Sequence, residues 1–192
     1  MYALAIHGGA GLSTPEDLGT EREEQARKDL ERSLQAGEKI LSQGGTAEEA
    51  VIAAVQIMED SEVFNAGRGS VFASDGVQRM DASIMTGHNE KAGALCGVSR
   101  IRYPISAAAA IMNTTPHVML YGEDAENLAQ EFGLEMVDPS WFRTDYRWEQ
   151  LLKARKAKKK RMYPDEQAAT LAAGKAITKK HTSNGWTIKT KR

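Results

Sequence analysis

The sequence predicts an α/β layered fold whose sheet is not a simple alternation of strand and helix. Three observations predict it. Two amphipathic helical patterns come first, each opened by a Thr-x-x-Glu signature, at Thr20/Glu23 and Thr46/Glu49. Strand-like runs then flank Ser74-Asp75-Gly76, where Asp-Gly is a hairpin signal. Short strands and helices alternate irregularly after that. There is no internal repeat.

Residues 2–6 read as a short buried strand running into the glycine turn His7-Gly8-Gly9-Ala10-Gly11, and Ser13-Thr14-Pro15 continues that loop. Thr20 and Glu23 form a capping box, and Ala26, Leu30, Leu34 and Leu41 recur at helical spacing until Gly44-Gly45 stops the helix. Thr46 and Glu49 form a second box, with Ala50, Val51, Ala54, Val55 and Met58 as the apolar stripe of the next helix. Residues 70–73 and 77–85 read as the arms of a hairpin, and 92–99 as a third strand. Pro104 opens an alanine-rich helix, because proline suits the first helical position. A strand at 117–121 precedes a helix at 123–132 closed by Gly133, and Asp145 caps a last helix over 146–156. Beyond Lys153 the periodicity fades. Residues 161–192 read as a mobile extension with one short helix around 166–173. The domain plan is therefore 1–156 as the folded portion and 157–192 as a basic linker or tail.

The chain has 192 residues, 41% hydrophobic and 27% charged, which is enough for one sizeable core. No stretch reaches the roughly 18 apolar residues of a membrane span. The apolar start is too short for a signal peptide and has no basic residue before it. The single cysteine, Cys96, excludes an internal disulfide framework, so a reducing cytoplasm is the expected compartment. The net charge of −1 hides an asymmetry: residues 153–192 carry +11 and the rest −12. Seven cations fall within the nine residues from Lys153 to Arg161. No aromatic residue interleaves that run, which favours a solvated linker over a nucleic-acid surface.

Few residues carry chemistry by themselves. His7, His88, His117 and His181 lie far apart, with no metal-ligand spacing. Cys96 falls in an apparently buried strand and reads as a small hydrophobe rather than a nucleophile. The turn at Gly8 lacks the spacing and the Lys-Ser/Thr pair of a phosphate loop. Glu59 and Asp60 end a helix, where carboxylates oppose the dipole, so something nearby must offset them. In Phe64-Asn65-Ala66-Gly67-Arg68-Gly69, Asn65 reads either as a turn residue or as a donor and acceptor for a site. The two glycines let that loop turn inward.

The strings Ile6-His7-Gly8-Gly9-Ala10-Gly11, Gly44-Gly45-Thr46-Ala47, Phe64-Asn65-Ala66-Gly67-Arg68-Gly69-Ser70-Val71, Met80-Asp81-Ala82-Ser83-Ile84-Met85, Lys91-Ala92-Gly93-Ala94 and Thr115-Pro116-His117-Val118-Met119 occur in that order. Together they make the chain resemble, collinearly over 2–156, the plant-type (class 3) L-asparaginase and isoaspartyl aminopeptidase family. The resemblance implies half of a four-layer αββα sandwich of a threonine N-terminal-nucleophile hydrolase. It implies a precursor that cuts itself before a threonine, and an (αβ)₂ assembly in which this chain is the α subunit. The nucleophile, the oxyanion donors and the groups gripping the substrate then lie on the β chain. The implied reaction is hydrolysis of β-aspartyl peptides and L-asparagine to aspartate.

Carried onto this chain, the resemblance assigns no catalytic residue beyond a supporting role for Asn65. It makes the main-chain carbonyls of Met58, Glu59, Ser61, Phe64, Ala66 and Arg68 the cradle of a structural sodium ion, with potassium as an alternative. No organic cofactor, nucleic acid or membrane is implied. Two departures stand out. The only Gly-Thr pairs, Gly19-Thr20 and Gly45-Thr46, lie within the first 46 residues and none occurs toward the end, where Gly185-Trp186-Thr187 is the nearest approach, and the last 30 or so residues match nothing in the family pattern. The competing expectation is therefore a non-catalytic remnant or partner-binding module that lacks the nucleophile half.

Overall fold

A computed structural model of the chain describes residues 1–9, 19–162, 178–182 and 185–189, with side chains to residue 157. The chain divides into two compact units, Met1–Leu151 and Leu152–Arg192.

Helix α1 spans Thr20–Ser42. Its cap is Gly19, at φ 76°, and Thr20 already lies inside the helix and makes no capping bond. The Glu23 N–H donates to the Gly19 carbonyl, so the predicted Thr20/Glu23 box does not form. Helix α2, Ala47–Asp60, has the predicted box in full: Thr46 Oγ1 accepts from the Glu49 N–H and Glu49 returns the bond to the Thr46 N–H. The two helices pack along Asp29, Ser33 and Gly37 of α1, one position round from the predicted leucine row, and Leu34 is exposed. Small residues win that line because they let α1 approach Ala50 and Ala54, and Ser33 Oγ donates to the Ala54 carbonyl at 2.7 Å.

The turn at Ser74-Asp75-Gly76 forms, with Ala73 and Val77 bonded at 2.9 Å, but its arms hold only the bridge Phe72–Gln78. The predicted arm at 70–73 is therefore not a strand. The buried Gln78 amide donates to the Ser70 carbonyl, the Ser70 hydroxyl and the Phe142 carbonyl, taking the place of a ladder. Strands β1 (Met80–Met85) and β2 (Ala92–Val98) then pair antiparallel, with an irregularity between Met80 and Ala82. Helix α3 (Pro104–Thr114) has proline in its first turn and carries the chain to β3 (Met119–Tyr121), which pairs parallel to β2. Helix α4 (Gly122–Glu131) follows, then a 3₁₀ turn at Pro139–Phe142 and helix α5, Asp145–Met162. Thr144, not Asp145, caps α5: its carbonyl accepts from Trp148 and its hydroxyl from the Arg147 N–H.

One face of the β1–β2–β3 sheet lies under α3 and α4. Met80, Leu95, Val98, Ile101, Ala107, Ile111, Ala125, Ala129 and Phe142 form the main core there, and Ile84, Ile105, Ala108, Ala109 and Met112 a second cluster. A Cβ on Gly93 would overlap the Ala108 carbonyl, so only glycine lets α3 lie this close to β2. The opposite face presents Met85, Met119 and Tyr121, 63, 55 and 67% exposed.

Residues 2–6 are not a strand, contrary to the sequence reading. They alternate half-buried Leu4 and Ile6 with exposed Ala3 and Ala5, and no described strand lies beside them to complete a ladder. Leu4, Ala5, Ile6 and His7 instead form a groove with Val51, Ala54, Val55 and Met58 of α2.

In the second unit, β4 (Thr178–Thr182) and β5 (Gly185–Lys189) pair antiparallel, where the sequence shows no strand signal. The expected helix around 166–173 and the Ser13-Thr14-Pro15 loop lie outside the described residues. No described helix is long and apolar enough to cross a membrane.

Candidate functional site: a carbonyl-lined loop at the end of α2

The chain leaves α2 at Asp60, makes a short 3₁₀ turn at Gly67–Gly69 and enters a strand only at Met80, and two glycines shape the loop after the helix. Gly67 sits at φ 45°, and a Cβ there would overlap the Glu59 carbonyl oxygen. A Cβ on Gly69 would overlap the Phe64 carbonyl and come within 2.8 Å of that of Ser61. The main-chain oxygens of Glu59, Ser61 and Phe64 thus crowd onto Gly67 and Gly69, where no side chain stands in the way. Met58 and Ala66 carbonyls accept weakly or locally, from the Ser61 and Gly69 N–H groups. Arg68 closes the loop through Glu62 at 2.8 Å.

The predicted site residues divide by what the structure does with them. The Met58, Glu59, Ser61, Phe64, Ala66 and Arg68 carbonyls all belong to this one segment. The glycine turn at His7-Gly8 comes to it as well: a Cβ on Gly8 would lie 2.9 Å from the Phe64 ring and 3.1 Å from Leu30. Ala10 and Gly11 lie outside the described residues. Asn65 is exposed, and its Oδ1 accepts the Val71 N–H at 2.9 Å. That bond is the turn role allowed by the sequence, and it leaves the amide nitrogen at the surface.

The misplaced carboxylates at the end of α2 find their offset in α3. Glu59 is only 3% exposed, and its Oε1 accepts the Ile105 N–H at 3.0 Å. Asp60 accepts from the Tyr103 hydroxyl at 2.9 Å and pairs with Arg102 at 3.3 Å. The C-terminus of α2 thereby supplies the carboxylates that the N-terminus of α3 lacks, since the side chain of Tyr103 at its cap position accepts no bond from the helix. Burial pushes the Glu59 carboxyl up to about 8, against the partial relief of the Ile105 bond, and its Oε2 has no partner. Burial and then the Asp60 bond push the Tyr103 hydroxyl up.

Sequence reasoning missed the residues that hold the loop from outside. Asp29 on α1 accepts from Ser61 Oγ at 2.7 Å, and Ser61 Oγ accepts the Val63 N–H. Arg22 donates to the Glu62 and Val63 carbonyls, and Arg147 to those of Gly69 and Val63. Apart from the local Ser61–Val63 bond, these contacts join residues 32 to 84 positions apart, so no local pattern marks them.

Elsewhere the candidates remain separate. Cys96 is half-buried on β2 rather than buried, and a bond with Asp81, then burial, push its thiol up and disfavour the thiolate. His7, His88 and His117 are exposed and scattered. Among the described residues no group of His, Cys, Asp and Glu side chains could hold a metal ion.

Comparison with known proteins adds the family. The profile of a family described as Asparaginase matches residues 1–188. A relative from Dictyostelium discoideum, whose name joins isoaspartyl peptidase to L-asparaginase, is 49% identical over 156 residues, 81% of this chain and 45% of its own. The isoaspartyl peptidase of Escherichia coli is 43% identical over 80% of this chain and 48% of its own length. The plant-type L-asparaginase of Pyrococcus abyssi is 38% identical over 79% and 48%. The chain spans about half the length of the curated relatives it matches. On these matches the chain belongs to the asparaginase family.

Proposed function

We propose that this chain is the α half of an isoaspartyl peptidase/L-asparaginase, a threonine-type amidohydrolase whose nucleophile lies on a second chain. The observation that carries the reading is the loop from Met58 to Gly69, which folds its main-chain oxygens around two glycines and presents Asn65 beside them.

In this reading the partner's N-terminal threonine attacks the side-chain amide carbon of asparagine, or the β-peptide carbonyl. Its freed α-amine takes the hydroxyl proton and gives it to the departing ammonia or amine as the C–N bond breaks, and water then hydrolyses the threonyl ester to release the aspartyl product and restore the threonine. Asn65 contributes from this chain. With Oδ1 fixed on the Val71 N–H, its exposed amide nitrogen offers one oriented donor to the nucleophile region or its water.

The loop fits a hard monovalent cation. Its donors are neutral carbonyl oxygens, and the space they face is one a Cβ would fill. Met58, Glu59, Ser61, Phe64, Ala66 and Arg68 would hold sodium, with potassium as the alternative. The ion would supply charge compensation for carbonyls left without partners at the end of α2.

The face of the sheet that carries Met85, Met119 and Tyr121 supports the assembly. Among the described residues helices cover the other face, as expected of one half of an αββα sandwich whose second sheet belongs to a β subunit. An (αβ)₂ heterotetramer, autocatalytic cleavage of a precursor and a cytoplasmic location complete the proposal. The test is co-expression with a second chain that begins in threonine, followed by assay on L-asparagine and β-aspartyl dipeptides. Ammonia or free amino acid released by a purified heterodimer supports the reading. A folded, verified heterodimer without hydrolysis overturns it in favour of a partner-binding module.

A further inference from the structure

We propose that Arg22 and Arg147 are positioning residues: an intramolecular guanidinium clamp that sets the conformation of the loop bearing Asn65. Arg22 comes from the first turn of α1 and Arg147 from the first turn of α5, 125 positions apart in sequence. Both lie against Tyr146, with the Arg22 guanidinium 3.7 Å and that of Arg147 5.6 Å from the ring centre. Neither arginine has a carboxylate partner among the described residues. Arg22 through Nη2, and Arg147 through Nε and Nη2, donate to main-chain oxygens of the loop instead, while Arg147 Nη1 donates to the Gln150 side chain.

The distances describe a grip at both ends. Arg147 Nε donates to the Gly69 carbonyl at 2.6 Å, and its Nη2 to Val63 at 3.3 Å. Arg22 Nη2 donates to Glu62 at 3.1 Å and shares the Val63 carbonyl at 3.4 Å. Val63 and Gly69 bracket Asn65, and the Asn65–Val71 bond spans the closing end of the same loop. A segment with no ladder must satisfy its carbonyls somewhere, and the rigid, planar fork of a guanidinium ties two of them at a fixed spacing.

The clamp also sorts the loop's oxygens. The three it holds, on Glu62, Val63 and Gly69, interleave with those on Glu59, Ser61 and Phe64 that crowd onto the glycines. Fixing one set outward fixes the other set inward. Two guanidiniums this close repel, and burial together with the Arg22 charge pulls the Arg147 guanidinium below its ordinary value. The faces of Tyr146 and the carbonyl dipoles offset that cost. A lysine could replace the charge but not the fork.

The test is amide hydrogen exchange on the full chain, comparing wild type with Arg147→Lys, Arg22→Lys and Tyr146→Leu. Each variant keeps helix-forming residues at exposed or half-buried positions. Exchange at Val71, Ser70 and Gly69 should rise about tenfold or more in both lysine variants while β1 and β2 amides keep their protection. Tyr146→Leu should give a smaller rise at the same amides. Unchanged protection at Val71 in both lysine variants overturns the clamp, and so does a rise spread evenly over the sheet. The bearing on catalysis rests on the reading above. In an active heterodimer the lysine variants should lower kcat with KM little changed. An inactive wild-type heterodimer would sink that reading and leave the exchange result to decide the clamp.

Discussion

Glu59 shows how much one side chain can govern. It sits 97% buried with one oxygen on the Ile105 N–H and the other without a partner. Its carboxyl is raised from 4.5 to about 8, so the folded chain keeps a proton that the unfolded chain releases above pH 4.5. The unfolded state then binds fewer protons, and stability falls as pH rises from about 4.5 to about 8 and levels off beyond. The full effect is of the order of 5 kcal/mol. Glu59→Gln keeps the acceptor for Ile105 and removes the titration. It should raise stability by about 2 kcal/mol at pH 8 and flatten the fall between pH 5 and 8. Denaturant melts of both proteins across that range check it, and parallel pH profiles would refute it. The sequence marks Glu59 as misplaced at a helix C-terminus. It cannot show the answer, because the N-terminus of α3 that accepts it begins 45 residues later.

Among the elements, two copies of one signature behave differently. Thr46-x-x-Glu49 makes both bonds of its box, whereas Thr20-x-x-Glu23 makes neither because Gly19, free to take φ 76°, occupies the cap position first. Thr46→Ala should therefore cost about 1 kcal/mol and Thr20→Ala under about 0.5 kcal/mol, by chemical denaturation. Equal costs would contradict the difference in capping. The loop after α2 supplies a second expectation. Sodium chloride should raise the melting temperature above that in choline chloride at equal ionic strength, as a ligand of the folded state does. Gly67→Ala should abolish that increment and lower stability by about 2 kcal/mol, since it meets both the Glu59 carbonyl and a positive φ. An increment that survives Gly67→Ala would place the ion elsewhere. The glycines of this loop were legible from local sequence. Its tethers were not, because Arg22, Asp29 and Arg147 look like ordinary surface charges until the helices are packed.

At the scale of the molecule, the sequence shows the order of helices and strands but not which strands find neighbours. Residues 2–6 alternate as a strand should, yet lie along α2, since a ladder needs a second strand beside it. The Met85–Met119–Tyr121 face is likewise invisible in a linear pattern, because register places residues from three segments side by side. That face should make the isolated chain self-associate. Met85→Ser with Tyr121→Ser should shift sedimentation toward monomer without loss of helical signal. A wild-type chain that is already monomeric at micromolar concentration would count against an open flank.

The mixed sheet also imposes a schedule. β1 and β2 are joined by a short turn, closed by the Thr86 N–H on the Lys91 carbonyl at 2.9 Å, so they can zip together within microseconds of meeting. β3 has no such shortcut. It reaches β2 only after α3 has crossed back over Gly93, and it pairs through just three positions. On a translating ribosome the hairpin emerges first, then the crossover, then the third strand, which matches the sequence in which the parts can dock. A change that loosens α3 should slow the last step far more than the first.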